Sequence, residues 1–139
     1  MVVYISGNFG YELDLNKLTD AEREAVKAQI ADYNKYQKLV QEGDLYRLVS
    51  PYKNRHYSAW EYVSPDKTEA LFTFVVMRRE IFTRYYFIKM SGLDETKNYL
   101  SSADGKIYSG ALLMNAGVNL SLVDYNDGDS LIIHFTEVK

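Results

Sequence analysis

Val2-Val3-Tyr4-Ile5 is an unbroken apolar run, the pattern of a strand covered on both faces. Ser6-Gly7-Asn8 interrupts it, and the chain as far as Leu18 is irregular. Thr19 then offers a hydroxyl to a first-turn N–H, and Glu22 stands three residues on, where a capping box needs it. Val26, Ile30, Tyr33 and Val40 follow at steps of three, four and seven. That stripe predicts an amphipathic helix from Thr19 to about Gln41, roughly 33 Å long, with Gly43 as its C-terminal stop.

After Gly43 the period changes to that of strands. Leu45 to Ser50 reads as one strand, ended by Pro51. Tyr57–Ser64 and Glu69–Met77 flank Ser64-Pro65-Asp66-Lys67, a turn with Pro at its second position, and together predict a β-hairpin. Ala70, Phe72, Phe74 and Val76 share one face of its second strand. Arg84 to Met90 predicts a further strand, and Lys97–Ser101 with Lys106–Tyr108 a second hairpin around Ser102-Ala103-Asp104-Gly105. Ala111–Met114 suits one short turn of helix. Val118, Leu120 and Leu122 alternate with polar residues, and Leu131, Ile133 and Phe135 point one way in the last strand.

The expected fold is mainly β. Residues 1–43 form one β/α unit with a long helix, and residues 44–139 an antiparallel β-sandwich of Greek-key type. A buried parallel strand cannot pair with its own helix, so the first unit looks like the last unit of an eightfold β/α (TIM) barrel. In such a barrel the loop after a strand lies at the catalytic mouth, which makes Ser6, Gly7 and Asn8 the candidate substrate-facing residues. The alternative is that Val2–Ile5 joins the sandwich as an edge strand, and pattern alone leaves both open.

With 139 residues and 47% hydrophobic positions, the chain has enough material for one core. The net charge of −3 gives no drive toward nucleic acid or an anionic membrane surface. The absence of cysteine removes disulfides and thiolate metal sites, and no apolar run is long enough to span a membrane. A cytoplasmic setting is the expectation. Aromatics reach 14%, which suits a β-rich core before it suits a sugar-stacking surface.

Candidate chemistry is sparse. His56 and His134 have no second ligand at metal-binding spacing. Glycoside hydrolysis needs two carboxylates flanking the sugar bond; by residue type the candidates are Glu12, Asp14, Glu61 and Asp104, and Asp104 is better explained by its turn. Asp124, Asp127 and Asp129 cluster without EF-hand spacing and read as a solvated loop. Arg78, Arg79 and Arg84, beside Phe82, Tyr85 and Tyr86, form too narrow a basic patch for nucleic acid. Trp60 and Tyr62 share a strand face with Ser58 and read as core. No catalytic residue, metal site or cofactor is expected in this chain.

Two long segments, "GNFGYELDLNKL" and "IADYNKYQKLVQEGDLYRLVSP", resemble the end of the catalytic domain in α-galactosidases of glycoside hydrolase family 36. "SAWEYVSPDKTEALFTFV", "SGLDETKNY" and "YSGALLMNAGVNL" resemble that family's C-terminal β-sandwich, in the same order and spacing. The resemblance implies the barrel-end reading of residues 1–43. It also implies hydrolysis of terminal α-galactosides with retention in a parent enzyme. The family's nucleophile lies in a Lys-Trp-Asp-type motif, which is absent here, since Trp60 stands between Ala59 and Glu61. The expected role is therefore a structural, non-catalytic C-terminal fragment whose parent binds α-galactosides. A carbohydrate-binding or oligomerisation module is the alternative, and association with the barrel or with a second copy is the expected partnership. "MRREIFTRYYF" and the acidic turn of "LVDYNDGDSLIIHF" depart from the family pattern.

Overall fold

A computed structural model of the protein describes residues 15–79, 86–120 and 125–139. The Val2–Ile5 strand, the Ser6–Gly10 loop and the expected strand start at Arg84 lie outside the described residues.

A single 3-10 turn, Leu15–Lys17, leads into helix α1, Asp20–Glu42. The capping box forms as expected: the Thr19 hydroxyl accepts the Glu22 N–H at 3.3 Å, and the Glu22 carboxylate accepts the Thr19 N–H at 2.8 Å. The helix ends at Gly43, but not in the left-handed conformation that usually recommends glycine there. Its φ is −79° and ψ 156°, ordinary extended backbone. Glycine is needed for space: a Cβ would lie 2.4 Å from the Leu39 carbonyl oxygen and 3.0 Å from that of Val63.

Among the described residues eight strands follow: β1 Asp44–Val49, β2 Tyr57–Val63, β3 Glu69–Val76, β4 Phe87–Ile88, β5 Asn98–Ser101, β6 Ile107–Ser109, β7 Val118–Asn119 and β8 Ser130–Val138, with helix α2, Gly110–Asn115, before β7. They make a six-stranded antiparallel sheet in the order β1-β2-β3-β8-β5-β6 and a two-stranded sheet of β4 and β7. Both predicted hairpins are present. In the β2–β3 turn the Lys67 N–H donates to the Ser64 carbonyl at 2.8 Å. Of the strands expected from Arg84 to Met90 and from Val118 to Leu122, the described residues show Phe87–Ile88 and Val118–Asn119 as strand.

Between the layers, Phe72, Phe74, Ile133 and Phe135 from the large sheet pack against Tyr86, Ile88, Leu113, Leu120 and Tyr125. Each such side chain contributes roughly 1.5–3 kcal/mol on burial. Phe74 stands at the centre of an aromatic cluster, 5.2 Å from Tyr125, 5.5 Å from Tyr86 and 5.6 Å from Tyr57 between ring centroids. The high aromatic content is thus spent largely on the core.

The outer face of the sheet is also covered, by α1. Leu39, with Tyr36 and Val40 beside it, packs on Tyr62, Leu71, Trp60 and Ile132. Tyr36 meets the His134 ring edge-on at 5.2 Å. The helical stripe therefore works through Tyr33, Tyr36, Leu39 and Val40, while Ile30, expected in the same stripe, is 41% exposed.

Candidate functional site

Two depressions lie on the large sheet, one along β1 and β2 and one beside the end of α1. One, of about 390 Å³, is lined by Leu45, Arg47, Val49, Pro51, Tyr52, Trp60 and neighbours on β1, β2 and the loop between them. Its lining residues with polar side-chain groups include Arg47, Ser50, Ser58, Tyr52, Tyr62 and Trp60, and the Ser58 hydroxyl already donates to the Val49 carbonyl at 3.0 Å. No carboxylate lines it, so it lacks the pair that glycosidic cleavage demands. The other, of about 400 Å³, lies between the end of α1 and the β2–β3 turn, lined by Lys35, Lys38, Glu42, Asp66 and Glu69 among others.

Of the carboxylates that the sequence offered, the two among the described residues, Glu61 and Asp104, are committed elsewhere. Glu61 points between the layers and is fully buried, with one oxygen accepting the Ser91 N–H at 2.5 Å. Burial pushes its carboxyl up to about 8 despite that bond. Asp104 accepts the Tyr108 hydroxyl at 2.5 Å and the Lys106 N–H at 3.1 Å, which hold it below the usual carboxylate range and close its turn. Asp127 accepts the Arg79 N–H at 2.6 Å, and Asp129 the Asn126 N–H at 2.7 Å. These acids serve hydrogen-bond donors of the fold itself, and no group of three His, Cys, Asp or Glu among the described residues is placed to hold a metal.

His134 has a partner that sequence spacing hides. Its Nε2 lies 3.0 Å from Glu69 Oε2 across β8 and β3, although the residues are 65 apart in the chain. The Met77 and Arg78 amides donate to the His56 carbonyl, which makes the main chain of that loop part of the fold. Trp60 and Tyr62 lie beneath α1, as core. Ser6, Gly7, Asn8, Glu12, Asp14, Phe82, Arg84, Tyr85 and Asp124 lie outside the described residues.

Two of the segments that carry the family resemblance turn out to carry packing. In "SGLDETKNY", Asp94 accepts both the N–H and the hydroxyl of Thr96, and the Tyr99 hydroxyl donates to the Lys67 carbonyl at 2.9 Å. Lys97 donates to the Asp66 carbonyl at 2.9 Å and pairs with Glu137 at 3.3 Å, tying the β2–β3 turn to β8. In "YSGALLMNAGVNL", the Ser109 hydroxyl accepts the Leu112 N–H and caps α2. An ordered run of such residues marks one way of building a sandwich. The model of the glycosyl hydrolase family 36 C-terminal domain matches residues 57–135, from β2 to β8. The chain belongs to that family.

A second family model, melibiase, matches residues 1–43, a stretch that includes α1. The α-galactosidase AgaA of Geobacillus stearothermophilus is 42% identical over 118 residues, which take in 85% of this chain and 16% of AgaA. The bifunctional α-galactosidase/sucrose kinase AgaSK of Mediterraneibacter gnavus is 36% identical over 138 residues, 99% of this chain and 14% of AgaSK. The crystal structure of AgaA superposes with a TM-score of 0.89 at 38% identity, over 99% of this chain and 19% of that one. The family 36 chain described here thus spans less than a fifth of the relatives it matches and corresponds to their C-terminal region. AgaA variants have been crystallised with raffinose and with stachyose.

Proposed function

We propose that this family 36 chain is the C-terminal brace of an α-galactosidase that hydrolyses terminal α-galactosides of the raffinose and stachyose type, and that the catalytic carboxylates stand outside it. One observation carries this reading. Helix α1, within the stretch that matches melibiase, is packed by Tyr36, Leu39 and Val40 onto the sheet of the stretch that matches the family 36 C-terminal domain. A helix shared in this way transmits the rigidity of the sandwich to whatever adjoins its other side. Residues 1–43 are on this reading the last β/α unit of the catalytic barrel, with Ser6, Gly7 and Asn8 at its mouth. The exposed side chains of Ile30 and Leu45 then face the rest of the enzyme.

The commitment of Glu61 and Asp104 to hydrogen bonds within the fold supports a bracing role over a catalytic one. The test is an assay of the purified chain on an aryl α-galactoside, with AgaA as positive control. The expected result is no turnover above the uncatalysed rate. Turnover that survives purification to homogeneity refutes the assignment of catalysis to other residues.

A further inference from the structure

The inner face of β2 carries a carboxyl that no charge in the core answers. Glu61 shares that face with Ala59 and Val63 and is 0% exposed. Its Oε1 accepts the Ser91 N–H, and its Oε2 has no hydrogen-bond partner. In register, Glu61 stands between Tyr46 of β1 and Phe72 of β3. Beside Ser91, Gly92 presses on the Tyr46 ring so closely that a Cβ there would lie 2.4 Å from its Cε2 and Cζ. The Ser91–Gly92 segment, flanked by buried Met90 and Leu93, thus meets the large sheet through one acceptor and one ring.

The titratable and charged surroundings are few. β1 contributes the Tyr46 phenol, β3 places Phe72 at that register, and the second layer contributes the Ser91 amide. Among the described residues no charged side chain acts on the carboxyl; burial raises it, to about 8, against the lowering effect of the Ser91 bond. At neutral pH the acid is then held mainly in its protonated form. The neutral acid leaves only its O–H without an acceptor, a smaller cost than that of a carboxylate in an apolar site with a single donor.

We propose that Glu61 is a neutral-acid latch: protonated, it holds the Ser91–Gly92 segment on β2, and loss of its proton lifts that segment to admit water. The step releases one proton from the carboxyl to solvent and breaks no other covalent bond. The native state holds this proton more tightly than the unfolded chain does. Stability is therefore full below the ordinary glutamate value of 4.5, declines as pH rises, and levels off above about 8.

Two measurements on the full chain test the latch: a carbon-13 NMR titration of the Glu61 carboxyl, and hydrogen exchange of the Ser91 amide corrected for intrinsic base catalysis. Both are made on the wild type, and the exchange also on Glu61→Gln, which keeps an acceptor for Ser91 and cannot ionise. The carboxyl is expected to titrate near 8, and wild-type Ser91 protection to fall about tenfold between about pH 7 and about pH 9, with the variant changing less than about twofold. A carboxyl that titrates at its ordinary value overturns the proposal, and so does an equal loss of protection in both proteins. If the variant does not fold, the wild type decides alone: a shifted titration together with the protection loss sustains the latch, and the lack of either overturns it.

Discussion

Gly92→Ala is expected to destabilise the chain through two separable effects. Gly92 has a φ of +78°, where an L-residue costs roughly 1–2 kcal/mol. Its new methyl would also lie 2.4–2.5 Å from Cε2, Cζ and the hydroxyl oxygen of Tyr46, well inside contact distance. Forcing an extra carbon into a packed interface typically costs about 1–3 kcal/mol. The sum, about 2–5 kcal/mol, corresponds to a fall in Tm of roughly 6–20 °C for a domain of this size. Tyr46→Ala removes the obstacle and carries its own cost from lost packing. In the double variant the steric part vanishes while the backbone part remains. Urea denaturation of the four proteins, followed by circular dichroism, closes the cycle. The double variant should be more stable than the sum of the single losses predicts, by about 1–3 kcal/mol. Strict additivity would show that the ring is not what the methyl meets, and a Gly92→Ala loss under about 0.5 kcal/mol would refute the whole estimate.

Thr19→Ala removes one side of the α1 capping box and should cost about 1 kcal/mol, read as a lower urea midpoint. Asp66 accepts the hydroxyls of Ser64 and Thr68 and the Thr68 N–H, which lower its carboxyl to about 2. Its contribution to the β2–β3 turn should be complete above its ordinary 3.8 and fade as pH falls toward about 2, and an NMR titration of its carboxyl checks this.

Local chemistry was legible from the sequence wherever it is local. The Thr19 cap, both hairpins and the alternation of Ala70, Phe72, Phe74 and Val76 depend on neighbours within a few residues, and each has its expected form. Glu61 was harder to read. Tyr57, Ala59, Glu61 and Val63 alternate, which puts the acid on the inner face, but α1 covers the outer face too, so β2 shows no clean contrast between a wet and a dry side. Gly43 stops the helix as the pattern suggested, for a reason visible only in three dimensions: its contacts are with the carbonyls of Leu39 and Val63. The Glu69–His134 pair joins strands that are not consecutive in the chain, and no spacing rule reaches across 65 residues. For the candidate site, residue types indicated correctly that Asp104 belongs to a turn and that Trp60 and Tyr62 belong to the core. The mouth residues Ser6, Gly7 and Asn8 lie outside the described residues and rest on the proposal alone.

The seat of Leu39 on Tyr62 and Leu71 has a practical consequence for anyone dividing this polypeptide. The seam between the two family matches falls near residue 43, yet the chain cannot be cut there without stripping oily surface from both pieces. The sheet would lose its lid, and the helix would lose the floor it rests on. Evolutionary modules and physical units need not share an edge, and here the folding unit borrows one element from its neighbour.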